Sequence, residues 1–308
     1  MSHIFDALQR SESESAGSKG SSFALATELL QAAEEKMRAA DRNVPATAPE
    51  VDGRSFEPSP SFPAGLEHCP SLSVSIPADS RLVSIEKEES LGAEKFRFLA
   101  VRLRQLRQTR ALKKVLITST IPQEGKSTVA ANLACTLARR KPHKTLLLEG
   151  DLRRPTVATR FGLGRVPGLS EWFRAEGSAM NIYRLETLGL WVMPAGNAAE
   201  NPLELMQSGK LSPLMEQLTA WFDWIVIDSP PVLPLGDTSI WARQADGILL
   251  VTRPGVTEKQ QLKRGLEMLE KTKFLGALVN DSTNAAHSDY YQRYGPAASQ
   301  PKSGVSDK

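Results

Sequence analysis

A short apolar run, Val115-Leu-Ile-Thr-Ser119, leads into Thr120-Ile-Pro-Gln-Glu-Gly125-Lys126-Ser127-Thr128 and then into the helix-forming stretch Val129-Ala-Ala-Asn-Leu-Ala-Cys-Thr-Leu-Ala138. Strand, Gly-Lys-Ser turn and helix in that order constrain this chain more than anything else in it. Such a turn aims backbone N–H groups and a helix N-terminus at one point, where the helix dipole favours negative charge. A lysine there reaches the outer phosphates of a nucleotide and a hydroxyl faces Mg²⁺. Lys126 and Ser127 stand at those positions, with Gln123, Glu124, Gly125 and Thr128 completing the expected phosphate-binding loop. Thr120 occupies the position where the strict pattern has a first glycine, so the assignment draws its weight from the flanking strand and helix.

The rest of the chain repeats that alternation. Strands are predicted at 115–119, 145–148, 191–193, 224–227, 248–252 and 277–279, with helices at 128–139, 211–220 and 259–271. Strands separated by crossover helices specify an α/β fold with a doubly wound, mostly parallel sheet. Two of the strands end in acids, Leu146-Leu-Leu-Glu149-Gly-Asp151 and Trp224-Ile-Val-Ile-Asp228. In open parallel sheets ligands bind at the carboxyl ends of the strands, and these segments carry their acids there. Asp228 is expected to hold Mg²⁺ through water, with Glu149 and Asp151 within reach of metal or nucleophile.

Three regions are distinguished: a leader over 1–80, a nucleotide-binding domain over 81–280 and a tail over 281–308. All five tryptophans fall between Trp172 and Trp241, and the first 80 residues hold neither Trp nor Tyr. Asp41 to Ser80 is rich in Pro and Ser, a composition that buries too little apolar surface to offset ordering entropy, and it reads as a flexible linker. Upstream, Phe23 to Ala40 has the spacing of an amphipathic helix, and Met1 to Arg10 suggests a short one. A basic helix follows over Ser84 to Thr109, with Phe96, Leu99, Leu103 and Leu106 on one face. Glu94 to Lys114 carries eight basic residues and one acid, a composition that suits subunit contact, solvation or an anionic surface. Overall, 38 basic against 35 acidic residues leave +3, too little to require nucleic acid. No apolar run approaches the roughly 20 residues of a membrane span. Cys69 and Cys135 do not form a disulfide framework, and the cytoplasm is the expected compartment.

Taken together, the segments Pro122-Gln-Glu-Gly-Lys-Ser-Thr128, Leu146 to Pro155 and Asp228-Ser-Pro-Pro-Val-Leu-Pro-Leu-Gly-Asp237 resemble the Walker A, Walker A′ and Walker B motifs of bacterial tyrosine kinases of the CpsD/CapB type. These belong with the MinD and ParA ATPases. Val192-Met-Pro-Ala-Gly196, Asn201-Pro-Leu-Glu-Leu205 and Ala245 to Val251 are weaker matches, and Met1 to Leu8 looks like the start of exopolysaccharide-locus members. The resemblance implies ATP and Mg²⁺ as cofactors. It implies catalytic roles for Lys126, Glu149, Asp151 and Asp228, metal contacts from Ser127, Asp151 and Asp228, and nucleotide contacts that include Asn280. It also implies autophosphorylation between chains at Tyr290, Tyr291 and Tyr294, three of the chain's four tyrosines. Its members work as homo-oligomers with the cytosolic tail of a membrane polysaccharide co-polymerase, which would recruit this chain to the inner face of the membrane.

There are three departures. Glu149 stands where the family has Asp, Gln123 stands where it has Gly, and Ala100 replaces the second arginine of the oligomerisation helix that begins with Glu94 and Arg97; Arg102 and Arg104 are candidates to compensate. Two alternatives to a kinase are a switch ATPase of the MinD/ParA type and a non-catalytic adaptor. The first is disfavoured because Ser119 to Gln123 lacks the extra lysine such switches carry; a GTPase is disfavoured because Asn280-Asp-Ser-Thr283 does not match the guanine-reading motif.

Overall fold

The computed structural model describes residues 66–175, 180–233 and 236–281. The leader helices proposed within 1–40, the first part of the linker and the tail tyrosines lie outside the described residues. Eight strands form one sheet: β1 (Ser71–Leu72), β2 (Lys114–Ser119), β3 (Thr145–Glu149), β4 (Tyr183–Leu185), β5 (Leu190–Met193), β6 (Trp224–Asp228), β7 (Gly247–Thr252) and β8 (Phe274–Val279). Their order is β1-β4-β5-β3-β6-β2-β7-β8. Every neighbouring pair is parallel except β4 with β5, which is antiparallel. The expected doubly wound, mostly parallel architecture is the one observed.

The helices are α1 (Val83–Glu86), α2 (Leu91–Thr109), α3 (Lys126–Ala138), α4 (Val157–Arg160), α5 (Leu169–Arg174), α6 (Pro202–Gln207), α7 (Leu211–Trp221), α8 (Asp237–Gln244) and α9 (Lys259–Met268). The central strands are apolar on both sides because each face is covered. Val115 and Ile117 of β2, Leu147 of β3 and Val226 of β6 turn toward α2 and α3, while Leu116, Leu146, Leu148, Ile225 and Ile227 turn toward α5, α7 and α8.

Three sequence expectations are corrected. The basic helix is broken in two, because the Ser90 hydroxyl caps α2 by accepting from Ala93 N at 3.2 Å and the chain between α1 and that cap is not helical. The linker does not extend to Ser80: β1 pairs with Arg184 and Leu185 of β4, and Ser80 and Leu82 are buried, so the sheet takes in residues before 81. β1 and β4 escape prediction since two or three residues carry no readable period. Third, β8 begins at Phe274, three residues ahead of the expected Ala277, and α9 ends at Met268 instead of Lys271.

Most of the basic side chains following Arg104 in α2 and the loop after it serve the fold. Arg107 stacks 5.0 Å over the Trp224 ring and donates to Asp223 O at 3.0 Å, Arg110 donates to Asp246 O at 2.8 Å, Lys113 donates to Thr219 O at 3.1 Å, and Lys114 pairs with Asp246 at 3.0 Å. Together they tie the amino-terminal ends of β2, β6 and β7.

Candidate functional site

From β2 the chain crosses to β3 on one side and, through β7, continues on the other; β6 is inserted between β2 and β3. The crevice at such a switch point opens at the carboxyl ends of the strands. Register puts Asp228 opposite Ile117 of β2 and opposite Glu149 of β3, so the loop after β2 and the two acidic strand ends share one crevice.

Gly125 caps the start of α3, with φ of +92°. A Cβ there would lie 2.0 Å from Asn280 Nδ2, so both the backbone conformation and the close approach require glycine. The same Asn280 amide donates to Glu124 O at 2.9 Å, bracing the loop from the end of β8. Gln123, where the related kinases were expected to have glycine, nevertheless adopts φ of +68°, the left-handed conformation a glycine would supply freely. The Glu124 side chain is fully buried, accepting from Ile121 N at 2.8 Å and from the Thr257 hydroxyl. Burial pushes its carboxyl up, against the pull of those donors. Thr257 and the Glu124 carboxylate were not foreseen; nothing in the local sequence links positions 133 residues apart.

Lys126 Nζ lies 2.9 Å from Asp151 Oδ2, 3.8 Å from Asp228 Oδ1 and 3.2 Å from Ser127 Oγ. Only 12% of its side chain is exposed. Burial alone would lower its pKa, but Asp228 and Asp151 outweigh burial and hold the ammonium above its ordinary value. Asp228 is completely buried and neither carboxylate oxygen has a hydrogen-bond partner among the described residues. Burial raises its pKa, and the Lys126 charge opposes the rise. A desolvated carboxylate without hydrogen bonds, next to a hydroxyl and a second carboxylate, is a hard-oxygen set of the kind Mg²⁺ takes together with substrate phosphates. No group of three or more His, Cys, Asp or Glu side chains among the described residues is arranged to hold a metal by itself, so phosphate oxygens would have to complete this set.

Glu149 is placed differently from Asp151. Its Oε1 accepts from Thr156 N and from Val157 N (2.7 Å), and its Oε2 accepts from Ala195 N (2.9 Å). The residue has no exposed surface. Burial pushes its carboxyl up to about 7, against those three N–H donors. Between the two acids, Gly150 lies against the Trp241 indole: a Cβ would come within 2.6 Å of the ring, and Trp241 Nε1 donates to Gly150 O at 3.0 Å. Arg153 pairs with Asp237 at 2.8 Å, so α8 grips the acidic loop twice. Asp237 ends the third motif in the sequence; its partner Arg153 and the Trp241 prop were not anticipated.

Ala100, third in the series begun by Glu94 and Arg97, is completely buried against α3 and its neighbours, whereas Glu94 and Arg97 pair on the surface at 2.7 Å. Phe98 and Val101 are exposed on the outer side of α2. No helix among the described residues is long and apolar enough to cross a membrane.

A family model described as ParA, NUBPL iron-transfer P-loop NTPase, matches residues 111–289. The chain is 35% identical to the tyrosine-protein kinase YwqD of Bacillus subtilis over 212 residues, which are 68% of this chain and 89% of that protein. It is 33% identical to the putative tyrosine-protein kinase CapB of Staphylococcus aureus over 215 residues, 68% of this chain and 93% of the relative. Among solved structures, the chimerical protein CapA2B2 aligns with a TM-score of 0.62 at 32% identity, covering 70% of this chain and 95% of that one. The kinase domain of the Escherichia coli tyrosine kinase ETK aligns with a TM-score of 0.59 at 25% identity, covering 66% and 82%. The nucleotide-binding loop on β2, the acid-bearing ends of β3 and β6 and these matches place the chain in the ParA-like P-loop NTPases and, within them, in the family of the bacterial tyrosine-protein kinases.

Proposed function

We propose that this chain transfers the γ-phosphate of ATP to tyrosine, first of all to Tyr290, Tyr291 and Tyr294 of another copy of itself, and that it acts in exopolysaccharide or capsule assembly. The observation that supports this reading best is the buried Asp228 carboxylate, without a hydrogen bond and 3.8 Å from the Lys126 ammonium, in the crevice where β2, β3 and β6 end. Lys126 and the N–H groups of the loop from Gln123 to Thr128 would hold the β and γ phosphates, while Asn280 keeps that loop in shape. Ser127, Asp228 and Asp151 would hold Mg²⁺. Held there, the ion would neutralise charge on the phosphates during transfer.

Asp151 is paired with Lys126 at 2.9 Å. With Lys126 turned toward phosphates, the Asp151 oxygen not committed to Mg²⁺ would orient the tyrosine hydroxyl and accept its proton. A hydroxyl with pKa about 10 needs such a partner at neutral pH. Positioning and charge stabilisation carry phosphoryl transfer, so no covalent enzyme intermediate is required.

The partner in this reading is the cytosolic tail of a membrane polysaccharide co-polymerase, which would bring a chain whose described residues contain no membrane-spanning helix to the inner face of the membrane. The test mixes a Lys126→Met chain carrying all its tyrosines with an active chain whose three tail tyrosines are Phe, in the presence of labelled ATP. Label is expected on the tail of the inactive chain and to increase severalfold when the co-polymerase tail is added. ATP hydrolysis without label on any tyrosine would replace the kinase reading with that of a switch ATPase.

A further inference from the structure

We infer that Glu149, the first acid of the Leu146 to Pro155 segment, is a positioning residue that fixes the Asp151 loop and does not itself take the tyrosine proton. The inference rests on the kinase reading above and says how its acceptor is held. A proton acceptor has to face the crevice, as Asp151 does where its Oδ2 meets Lys126 Nζ at 2.9 Å. Glu149 instead commits both oxygens to backbone donors from two separate segments: Thr156 and Val157 at the start of α4, and Ala195 after β5. It has no exposed surface through which a hydroxyl could approach.

The three donors define what Glu149 does. Residues 152–157 form the return of the loop that begins at Asp151, and Arg154 N within it donates to Asp151 Oδ1 at 3.1 Å. Ala195 continues the network, its carbonyl accepting from Ser170 N at 2.9 Å at the start of α5. Glu149 is therefore the knot between the carboxyl end of β3, the loop that holds Asp151 and the loop that starts α5. The extra methylene relative to aspartate supplies the reach. An aspartate in its place would draw the carboxylate back by about one C–C bond, roughly 1.5 Å, and could not bridge both segments at hydrogen-bond distance.

That difference inverts the usual order of two substitutions. If Glu149 took the proton, Glu149→Asp would keep a carboxylate and remain active, whereas Glu149→Gln would have no group to accept a proton and would fail. If Glu149 positions the loop, Glu149→Gln keeps the length and one carbonyl acceptor for Thr156 and Val157, losing only the acceptor for Ala195 N, and is the milder change. The expected kcat for tail phosphorylation lies within about tenfold of the parent for Glu149→Gln and falls on the order of 100-fold for Glu149→Asp, the loss a misplacement of about 1 Å produces. In both, KM for ATP stays within a few-fold, because Lys126 and the loop from Gln123 to Thr128 are untouched.

A Glu149→Asp chain with near-parental kcat beside an inactive Glu149→Gln chain would overturn the inference. So that the outcome does not depend on either variant folding, amide hydrogen exchange on the unaltered full chain is measured as well. The Thr156, Val157 and Ala195 amides should be protected to an extent comparable with β3, although they lie outside strands; rapid exchange at all three would also overturn it. Failure of the kinase reading is separable, since it would appear as absence of tyrosine label in the parent chain while these amides remain protected.

Discussion

Lys126 shows what a nearly buried lysine beside two carboxylates contributes to a fold. The sequence suggests a side chain exposed to ligand, but with 12% exposed it sits between two carboxylates that keep it charged. Removing the cation leaves Asp228 buried without a partner, a change that costs about 3–5 kcal/mol where a buried pair is broken and the remaining charge cannot be neutralised. Lys126→Met should therefore lose nucleotide binding and also lower Tm. The Tm loss should shrink as pH falls, because burial already raises the Asp228 pKa and Asp228 escapes the penalty by taking a proton. Thermal unfolding of parent and variant over a pH series checks it; a loss that does not vary with pH would mean that Asp228 is not the group left uncompensated.

At the scale of elements, the acidic loop after β3 is held from α8 as well as by Glu149 at the end of its own strand. Trp241 Nε1 satisfies the Gly150 carbonyl, and its ring fills the space a side chain at 150 would need. Trp241→Phe keeps the six-membered ring, removes the five-membered one from a fully buried site and strands that carbonyl, at about 1–3 kcal/mol for the lost hydrogen bond alone. The expected result is a lower Tm and a kcat reduced more than nucleotide affinity, since the loop carries Asp151 and not Lys126; equal losses in both would count against a prop specific to this loop. The helix α2 makes a second case. Because Ala100 is buried against α3, Ala100→Arg, which restores the arginine of the oligomerisation pattern, should destabilise the chain by at least the roughly 1–3 kcal/mol of an overpacked core and should not promote assembly. Chemical denaturation together with light scattering checks both halves of that expectation.

For the molecule as a whole, the crevice is a concentration of buried acid. Burial pushes Glu149 from an ordinary 4.5 up to about 7 and raises Glu124 and Asp228 as well. Between about pH 4.5 and 7 the folded chain then holds protons that the unfolded chain has already released, so stability without nucleotide is highest on the acid side and falls as pH rises through that window. In the proposed site Mg·ATP would use ionised Asp228, so its stabilisation should grow as pH rises. The expected thermal-shift pattern is a Tm without nucleotide that declines from pH 5 to 7.5 and an increment from Mg·ATP that widens. A flat profile without nucleotide would show that these carboxyls are not perturbed in the folded chain.

The sequence by itself determined the alternation of strands and helices, the loop from Gln123 to Thr128 and the acid-bearing ends of two strands, because each is written in a contiguous run whose period or residue type is set by the backbone it forms. It did not determine β1, β4 or the shared use of residues before 81 by the sheet, since strands of two or three residues exist only through their partners. Nor did it separate Glu149 from Asp151. The two stand two positions apart with the same charge, and their difference comes from donors at 156, 157 and 195 in one case and from Lys126 and Arg154 in the other. Thr257 beneath Glu124, Trp241 beneath Gly150 and Asp237 beside Arg153 belong to the same class. A hydrogen bond between residues far apart in the chain leaves no trace in local pattern; only the closing of the sheet brings the two ends together and decides which acid is tied to backbone donors alone and which faces Lys126.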